Sequence, residues 1–219
     1  MKTLALIPAF QVAPVIGAIV MGTRTYLSDV LVVDDGSTDG TGESAGTHGA
    51  FVITHGNNRG KGAALKTGFA YAIDQAYEAV ITLDGDGQHR PEYIPLFMEA
   101  AARSGADMII GSRLHDQADM PFARRCSNYL TSHVLSRLLR IPVEDSQSGY
   151  RLITVRLLKS VTLQSDRYQL ETEIIIKAAK AGFRIGFVPI QVTYGRNFPS
   201  SINHLADTFR WIKLVLEEI

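Results

Sequence analysis

Apolar residues in the first half of the chain fall in short runs separated by polar, glycine-bearing segments. Residues 4–7, 29–33, 50–54, 79–83 and 107–110 are mostly Val, Ile, Leu or Ala. Runs of this length suit strands buried on both faces of a sheet. Residues 15–26, 40–45, 61–77 and 91–103 lie between them and carry helical spacing. The alternation predicts an α/β fold, with a Rossmann-like, mostly parallel sheet and helices on both faces. In the second half, residues 122–140 and 168–181 read as helices and residues 184–188 and 190–194 as strands flanking Pro189. Residues 202–219 read as a terminal amphipathic helix. No linker composition interrupts the chain, so one domain is expected, with halves 1–112 and 113–219.

Residues 3–23 carry no charge, with Lys2 before them and Arg24 after. That length invites a membrane span or a signal peptide. Pro8, Pro14 and Gln11 interrupt it, so a buried strand followed by a buried helix fits better. The 22 basic and 22 acidic residues cancel, so no global field draws the chain to nucleic acid. Cys126 is the single cysteine; an internal disulfide is impossible and a cytoplasmic setting is expected.

In a parallel sheet, ligands gather beyond the carboxyl ends of the strands, which singles out three loops. The second apolar run leads into Asp34-Asp35-Gly36-Ser37-Thr38-Asp39-Gly40. Adjacent carboxylates repel, so Asp34 and Asp35 are read as functional, and Ser37, Thr38 and Asp39 as turn and cap residues. The fourth run leads into Asp84-Gly85-Asp86-Gly87-Gln88-His89. Its oxygen-bearing side chains suit a hard cation such as Mg²⁺ or Mn²⁺. An EF-hand loop would need an acid at its twelfth position, where Pro95 stands. The third run leads into Asn58-Arg59-Gly60-Lys61-Gly62. Glycines and a lysine opening a helix suit a phosphate, although the spacing matches neither a P-loop nor a dinucleotide fingerprint.

These three loops resemble those of the family 2 glycosyltransferases, and within them the dolichyl-phosphate or polyprenyl-phosphate hexosyltransferases. Gly111-Ser112-Arg113 and Asp145-Ser146-Gln147-Ser148-Gly149-Tyr150-Arg151 are similar to that branch too. The resemblance implies the GT-A fold, with residues 1–112 as the nucleotide-sugar half and 113–219 as the acceptor half. It implies an inverting, metal-dependent transfer of a hexose from a GDP- or UDP-linked sugar to a polyprenyl phosphate. Pro8, Phe10, Val33 and Asp35 would line the nucleotide site, with Asp84 and Gly85 also at the donor and Lys61 at phosphate. Asp86 and Gln88 would hold Mg²⁺ or Mn²⁺. Arg113 and Arg196 would answer substrate phosphates, with Ser201 in the same late loop as Arg196.

Two positions depart from the family pattern: Val12 stands where a glutamate is usual, and Ile202 where a lysine is usual. Both belong to the donor side and leave the base, guanine or uracil, open. A transferase acting on a glycan or lipid hydroxyl, and a nucleotide-sugar-binding protein without activity, are the alternatives. A phosphate acceptor is already ionised and needs positioning; a hydroxyl needs a base, for which Asp145 is the candidate.

On the acceptor side, Cys126, Leu130, Val134 and Leu138 recur at four-residue spacing, among Arg124, Arg125, Arg137 and Arg140. Such a basic amphipathic helix suits an anionic membrane surface, a phosphate, or packing on the core, and Arg124 and Arg125 are taken as substrate contacts. The last helix places Leu205, Phe209, Ile212, Leu216 and Ile219 on one stripe, beside Trp211, Leu214 and Val215. Peripheral contact with the cytoplasmic membrane face, a homodimer, or core packing of the terminus would explain its width. His89 is read as supporting the metal loop, and His48, His55, His115, His133 and His204 as polar surface.

Overall fold

A computed structural model describes residues 1–114, 120, 122–192 and 204–218, apart from the side chains of residues 123, 124 and 204–207. The five apolar runs form β1 (Thr3–Ala9), β2 (Val30–Asp34), β3 (Phe51–Thr54), β4 (Ala79–Thr82) and β5 (Met108–Ser112). Between them lie α1 (Ala13–Arg24), α2 (Thr41–Thr47), α3 (Lys61–Asp74) and α4 (Ile94–Ser104), the last entered through a 3-10 turn at Pro91–Tyr93. The second half contributes α5 (Phe122–Leu139), β6 (Arg151–Thr154), α6 (Val155–Ser160), α7 (Gln169–Lys180), β7 (Ile185–Pro189) and α8 (His204–Glu218).

One seven-stranded sheet carries both halves, in the order β3-β2-β1-β4-β6-β5-β7. β6 runs antiparallel to its neighbours β4 and β5, and the other pairings are parallel. β6 and α6 are additions to the expected elements. Of the strand expected at 190–194, the described part holds an isolated antiparallel bridge between Val192 and His89.

Alternate residues of each central strand face opposite layers. Leu4, Leu6, Leu31, Val33 and Val80 pack under Leu65 and Phe69 of α3, Leu157 of α6, Ile174 of α7 and Val215 of α8. Ala5, Ile7, Val30, Val32 and Ile81 pack against Ile16 of α1, Ala45 of α2 and Phe97 of α4. Both faces are therefore covered, which is why these strands read as continuous apolar runs. The described residues contain no helix long and apolar enough to cross a membrane.

Of the settings open for α5, packing of its apolar stripe on the core is not the one found. Its apolar stripe does not face the core: Leu130 is 63% and Leu138 44% exposed, and Cys126 is exposed. The buried positions are Asn128, Ser132 and Leu135. The segment beneath the helix explains this. Ser132 Oγ accepts the Ser146 N–H at 2.9 Å, Ser136 Oγ accepts the Val143 N–H at 2.9 Å, and Thr131 Oγ1 meets Ser146 Oγ at 3.0 Å. A buried irregular backbone must find hydrogen-bond partners, and the hydroxyl face of α5 supplies them. In α8 the flanking residues Trp211 and Val215 pack inward, with Trp211 Nε1 donating to Thr172 Oγ1 at 3.1 Å, while Phe209, Ile212 and Leu216 are exposed.

Candidate active site

Strand register aligns the tips that carry the predicted loops. Ala9 stands beside Asp34, and the Leu83 N–H donates to Leu6 O at 3.1 Å. Phe10, Asp35 and Asp84 thus follow adjacent strand ends. Because β6 is reversed, Arg151 lies opposite both Thr82 and Ile110, and the segment 145–150 enters the sheet at the same edge. Pro8 is paired with Val33, whose side chain is fully buried in the core. Phe10 is 42% exposed at the rim. Gly85 is buried, and a side chain there would start 3.0 Å from the Pro8 carbonyl oxygen.

The Asp35 carboxylate is occupied from within the chain. His55 Nδ1 lies 2.7 Å from Oδ1, and the N–H groups of Arg59 and Gly60 donate to Oδ2 at 3.1 and 2.7 Å. A carboxylate at the start of α3 satisfies donors that have no helical partner and sits favourably in the helix dipole. His55, expected at the surface, is buried and reaches Thr67 Oγ1 at 3.0 Å through its other nitrogen. Asp34 Oδ1 accepts the Ser37 N–H, and Ser37, Thr38 and Asp39 bond to residues 11–13, as turn residues should. Val12, the position that departs from the family pattern, is buried in the core.

The α3 entrance is also closed to a phosphate by packing. A Cβ on Gly62 would lie 2.6–2.8 Å from the backbone of Asp166 and Arg167, and the Ala63 N–H donates to Asp166 O at 3.0 Å. Lys61 points instead between two carboxylates, with Nζ 2.6 Å from Asp84 Oδ1 and 2.7 Å from Glu171 Oε1. Burial opposes charge on Lys61, but Asp84 and Glu171 outweigh it and raise its pKa. Burial likewise opposes charge on Asp84, yet Lys61 and then His89 hold it well below the usual carboxylate range. Gly149 closes the cluster: a Cβ there would lie 2.8 Å from Asp84 Oδ1, Glu171 Oε1 and Lys61 Nζ alike. Glu171, at the head of α7, was missed from sequence. Its one signal is the pair Glu171 and Glu173 directly ahead of the apolar run Ile174-Ile175-Ile176.

In the Asp84–His89 loop, Asp86 Oδ1 accepts the Gln88 N–H at 3.0 Å and Oδ2 accepts Gln88 Nε2 at 2.7 Å. Burial, and then the charge of Asp84, raise the pKa of Asp86. Two carboxylates and an amide form an oxygen set suited to a divalent cation, which would relieve the repulsion raising Asp86. Among the described residues no trio of His, Cys, Asp and Glu gathers into a self-sufficient cage. Mg²⁺ is commonly bound by one or two carboxylates together with waters and substrate phosphates.

His89 is buried beneath this loop. Its ring stacks on Tyr150 at 5.0 Å, and Nδ1 accepts the Asp84 N–H at 3.0 Å, which requires a neutral imidazole. Burial pushes its pKa down from 6.5 to about 4. A folded-state value below the unfolded one means the linked stability is full above pH 6.5 and is lost as pH falls toward 4. We expect the wild type to lose roughly 2–3 kcal/mol more than His89→Asn between those limits. Denaturant unfolding at both pH values measures this; parallel losses in the two proteins would assign the effect elsewhere.

Arg113 and Asp145, expected in the reaction, meet each other. Arg113 Nε donates to Asp145 Oδ2 at 2.7 Å, Nη2 to Oδ1 at 2.8 Å, and the Arg113 N–H to Oδ2 at 3.2 Å. Asp145 is fully buried; burial alone would raise its pKa, but Arg113 lowers it. A carboxylate so held is a poor proton acceptor, which counts against Asp145 as a general base. Arg151, also buried, donates to the carbonyls of Ser148, Glu171 and Ser146 at 2.7, 2.5 and 3.0 Å. It ties the segment 146–148 to the head of α7. Arg125 is exposed on α5, its guanidinium 5.4 Å from the Phe122 ring centre. The side chain of Arg124 and all of Arg196, Ser201 and Ile202 lie outside the described residues.

Known proteins match this arrangement. The family described as Glycosyl transferase family 2 matches residues 5–176. The undecaprenyl-phosphate mannosyltransferase of Micrococcus luteus is 33% identical, over 74% of this chain and 71% of that protein. The UDP-N-acetylglucosamine–dolichyl-phosphate N-acetylglucosaminyltransferase of Methanococcus voltae is 29% identical, over 86% of this chain and 84% of that protein. The crystal structure of glucosyl-3-phosphoglycerate synthase from Mycobacterium tuberculosis, in complex with Mn²⁺, UDP and glucosyl-3-phosphoglycerate, superposes with a TM-score of 0.80 at 20% identity, covering 99% of this chain and 79% of that one. The fold is that of the GT-A glycosyltransferases, and the chain belongs to glycosyl transferase family 2 as a glycosyltransferase.

Proposed function

We propose that this glycosyltransferase moves a hexose from a nucleotide-diphosphate sugar to a polyprenyl phosphate, with inversion. One observation carries the choice of acceptor. The carboxylates described at the catalytic edge are already engaged: Asp35 by backbone N–H groups, Asp84 and Glu171 by Lys61, and Asp145 by Arg113. Asp86 belongs to the metal loop. A hydroxyl acceptor would need a free base, whereas a phosphate monoester arrives already ionised. The relatives named for undecaprenyl and dolichyl phosphate support the same choice.

In this reading residues 1–112 bind the donor and residues 113–219 the acceptor. Phe10 stands at the rim where a base would lie, and Pro8, Val33 and Gly85 shape the floor with backbone. Asp35 acts by fixing the loop 55–60, and Lys61 by holding Asp84. Asp86 and Gln88, with Asp84 beside them, would hold Mg²⁺ or Mn²⁺, which supplies a positive charge to the diphosphate as it leaves. An oxygen of the acceptor phosphate attacks the anomeric carbon. The new C–O bond forms as the bond to the nucleoside diphosphate breaks on the opposite face, so configuration inverts. Arg113, oriented by Asp145, positions acceptor phosphate, with Arg124 and Arg125 on α5 beside it. Arg196 and Ser201 follow Val192, which is bridged to His89. Arg196 would answer the donor diphosphate. A lipid acceptor places the enzyme on the cytoplasmic membrane face.

The test offers GDP- and UDP-linked hexoses, with Mn²⁺ or with chelator, to a short water-soluble polyprenyl phosphate and to the matching alcohol. Transfer is expected to the phosphate alone, only with metal, and with an inverted anomeric signal by NMR. Equal transfer to the alcohol would overturn the acceptor assignment.

A further inference from the structure

Glu171 is buried at the head of α7 and takes no step in the reaction above. Its surroundings do not call for a second acid. Lys61 Nζ already pairs with Asp84 Oδ1 at 2.6 Å, and Glu171 Oε1 lies 2.7 Å from the same ammonium. A buried carboxylate costs free energy unless its charge is answered, and one ammonium cannot fully answer two. Asp86 stands close to Asp84 as a third acid. Arg151 lies behind the cluster, but its guanidinium donates to three carbonyls rather than to these carboxylates. Arg113 grips Asp145. Around the metal loop, therefore, Asp84, Asp86 and Glu171 outnumber Lys61 and Arg151. Gly149 makes the sharing of Lys61 possible. Its φ is negative, so the backbone would accept a side chain there; what excludes one is the meeting of Asp84, Glu171 and Lys61 over its Cα.

We propose that Glu171 is a positioning residue for the metal loop: by drawing the Lys61 ammonium toward itself, it leaves Asp84 only partly neutralised and able to share a divalent cation with Asp86. The inference rests on the reading of this loop as the cation site. If Lys61 faced Asp84 alone, an arriving cation would compete with a closed ion pair, and cation and ammonium would repel across one carboxylate. Glu171 offers the ammonium a second seat, so it yields to the cation without leaving the cluster. The charge of Glu171 offsets that of Lys61, and the cation feels the two as a pair.

Mn²⁺ binding to the full chain with GDP or UDP present, read by electron paramagnetic resonance, tests this without turnover. Glu171→Gln keeps the shape and still accepts from Lys61 Nζ, but it lacks the charge. Its Kd for Mn²⁺ should rise about tenfold or more. Adding Lys61→Met removes the ammonium that Glu171 offsets. The double variant exchanges an ion pair for a neutral pair, which buried sites tolerate, and its Kd should return to within about threefold of the wild type. Melting curves check the fold of each protein. Damage to a merely structural contact would not be repaired by deleting its partner. A Glu171→Gln protein that binds Mn²⁺ as tightly as the wild type would overturn the proposal. So would weakened binding that Lys61→Met does not restore. A wild type that binds Mn²⁺ with neither nucleotide would sink the cation site, and the role of Glu171 with it. The expected pattern of Kd values in a protein that transfers to no polyprenyl phosphate would uphold Glu171 and sink the acceptor assignment alone.

Discussion

Asp86→Ala is expected to lower kcat/KM for sugar transfer by about 10²- to 10³-fold, because it removes a carboxylate that anchors the charge answering the leaving diphosphate. Calorimetry with UDP and GDP, each with and without Mn²⁺, should show metal-dependent binding of one nucleotide in the wild type and its loss in the variant. The same substitution should leave the melting temperature unchanged or raise it. Burial and the charge of Asp84 both disfavour ionised Asp86 in the metal-free protein, so removing it relieves repulsion. Loss of activity without loss of stability marks a group retained for a ligand. Near-normal turnover with metal would remove Asp86 from the site, and a drop in melting temperature would make its role structural.

Asp145→Ala should cost stability. It leaves the Arg113 guanidinium without its bidentate partner in a buried position, and breaking a pair of this kind costs about 3–5 kcal/mol. For a chain of this size that is a fall of roughly 10 °C in melting temperature. Asp145→Asn keeps the shape and loses the charge, so it should fall between the wild type and the alanine variant. The pH dependence of kcat separates the two roles of this residue. If Asp145 only orients Arg113, the variants slow transfer and the shape of the pH profile stays. If Asp145 takes the acceptor proton, the acidic limb of the wild-type profile disappears in Asp145→Asn. The lowered pKa of Asp145 and its saturated oxygens favour the first result.

The strands β1, β2, β4 and β5 were legible because each is buried on both faces and therefore reads as an apolar run, while β3, at the sheet edge and only partly buried, was legible from its β-branched and aromatic residues alone. β6 was not: its four residues begin with Arg151, whose charge hides a strand until its three carbonyl partners are known. The candidate cation loop was legible because its three oxygen-bearing side chains, Asp84, Asp86 and Gln88, fall within five consecutive residues. The Lys61 cluster was not, because Glu171 lies 110 residues along the chain from Lys61. Spacing could suggest that Lys61 meets a negative charge; it could not distinguish a substrate phosphate from a carboxylate of the same protein. For α5 the sequence left the buried face open. Its apolar period is real, and periodicity usually marks the buried face, but the segment below it presents backbone groups that only hydroxyls and amides can satisfy.

The reversed strand also constrains the order in which the molecule can be assembled. β5 is flanked by β6 and β7, with Met108 facing Ile153 on one side and Ile185 on the other. Both partners are made later than β5 itself. A chain emerging from the ribosome can zip β3, β2, β1 and β4 together as they appear, but β5 then has nothing to pair with. Until residues 151–154 arrive, the outer edge of β4 and both edges of β5 expose unpaired N–H and C=O groups, the feature that recruits foreign strands. The segment that brings Asp145 and Arg151 to the catalytic edge is thus also the keystone of the sheet, and the nascent protein is most exposed to misassembly just before it is laid.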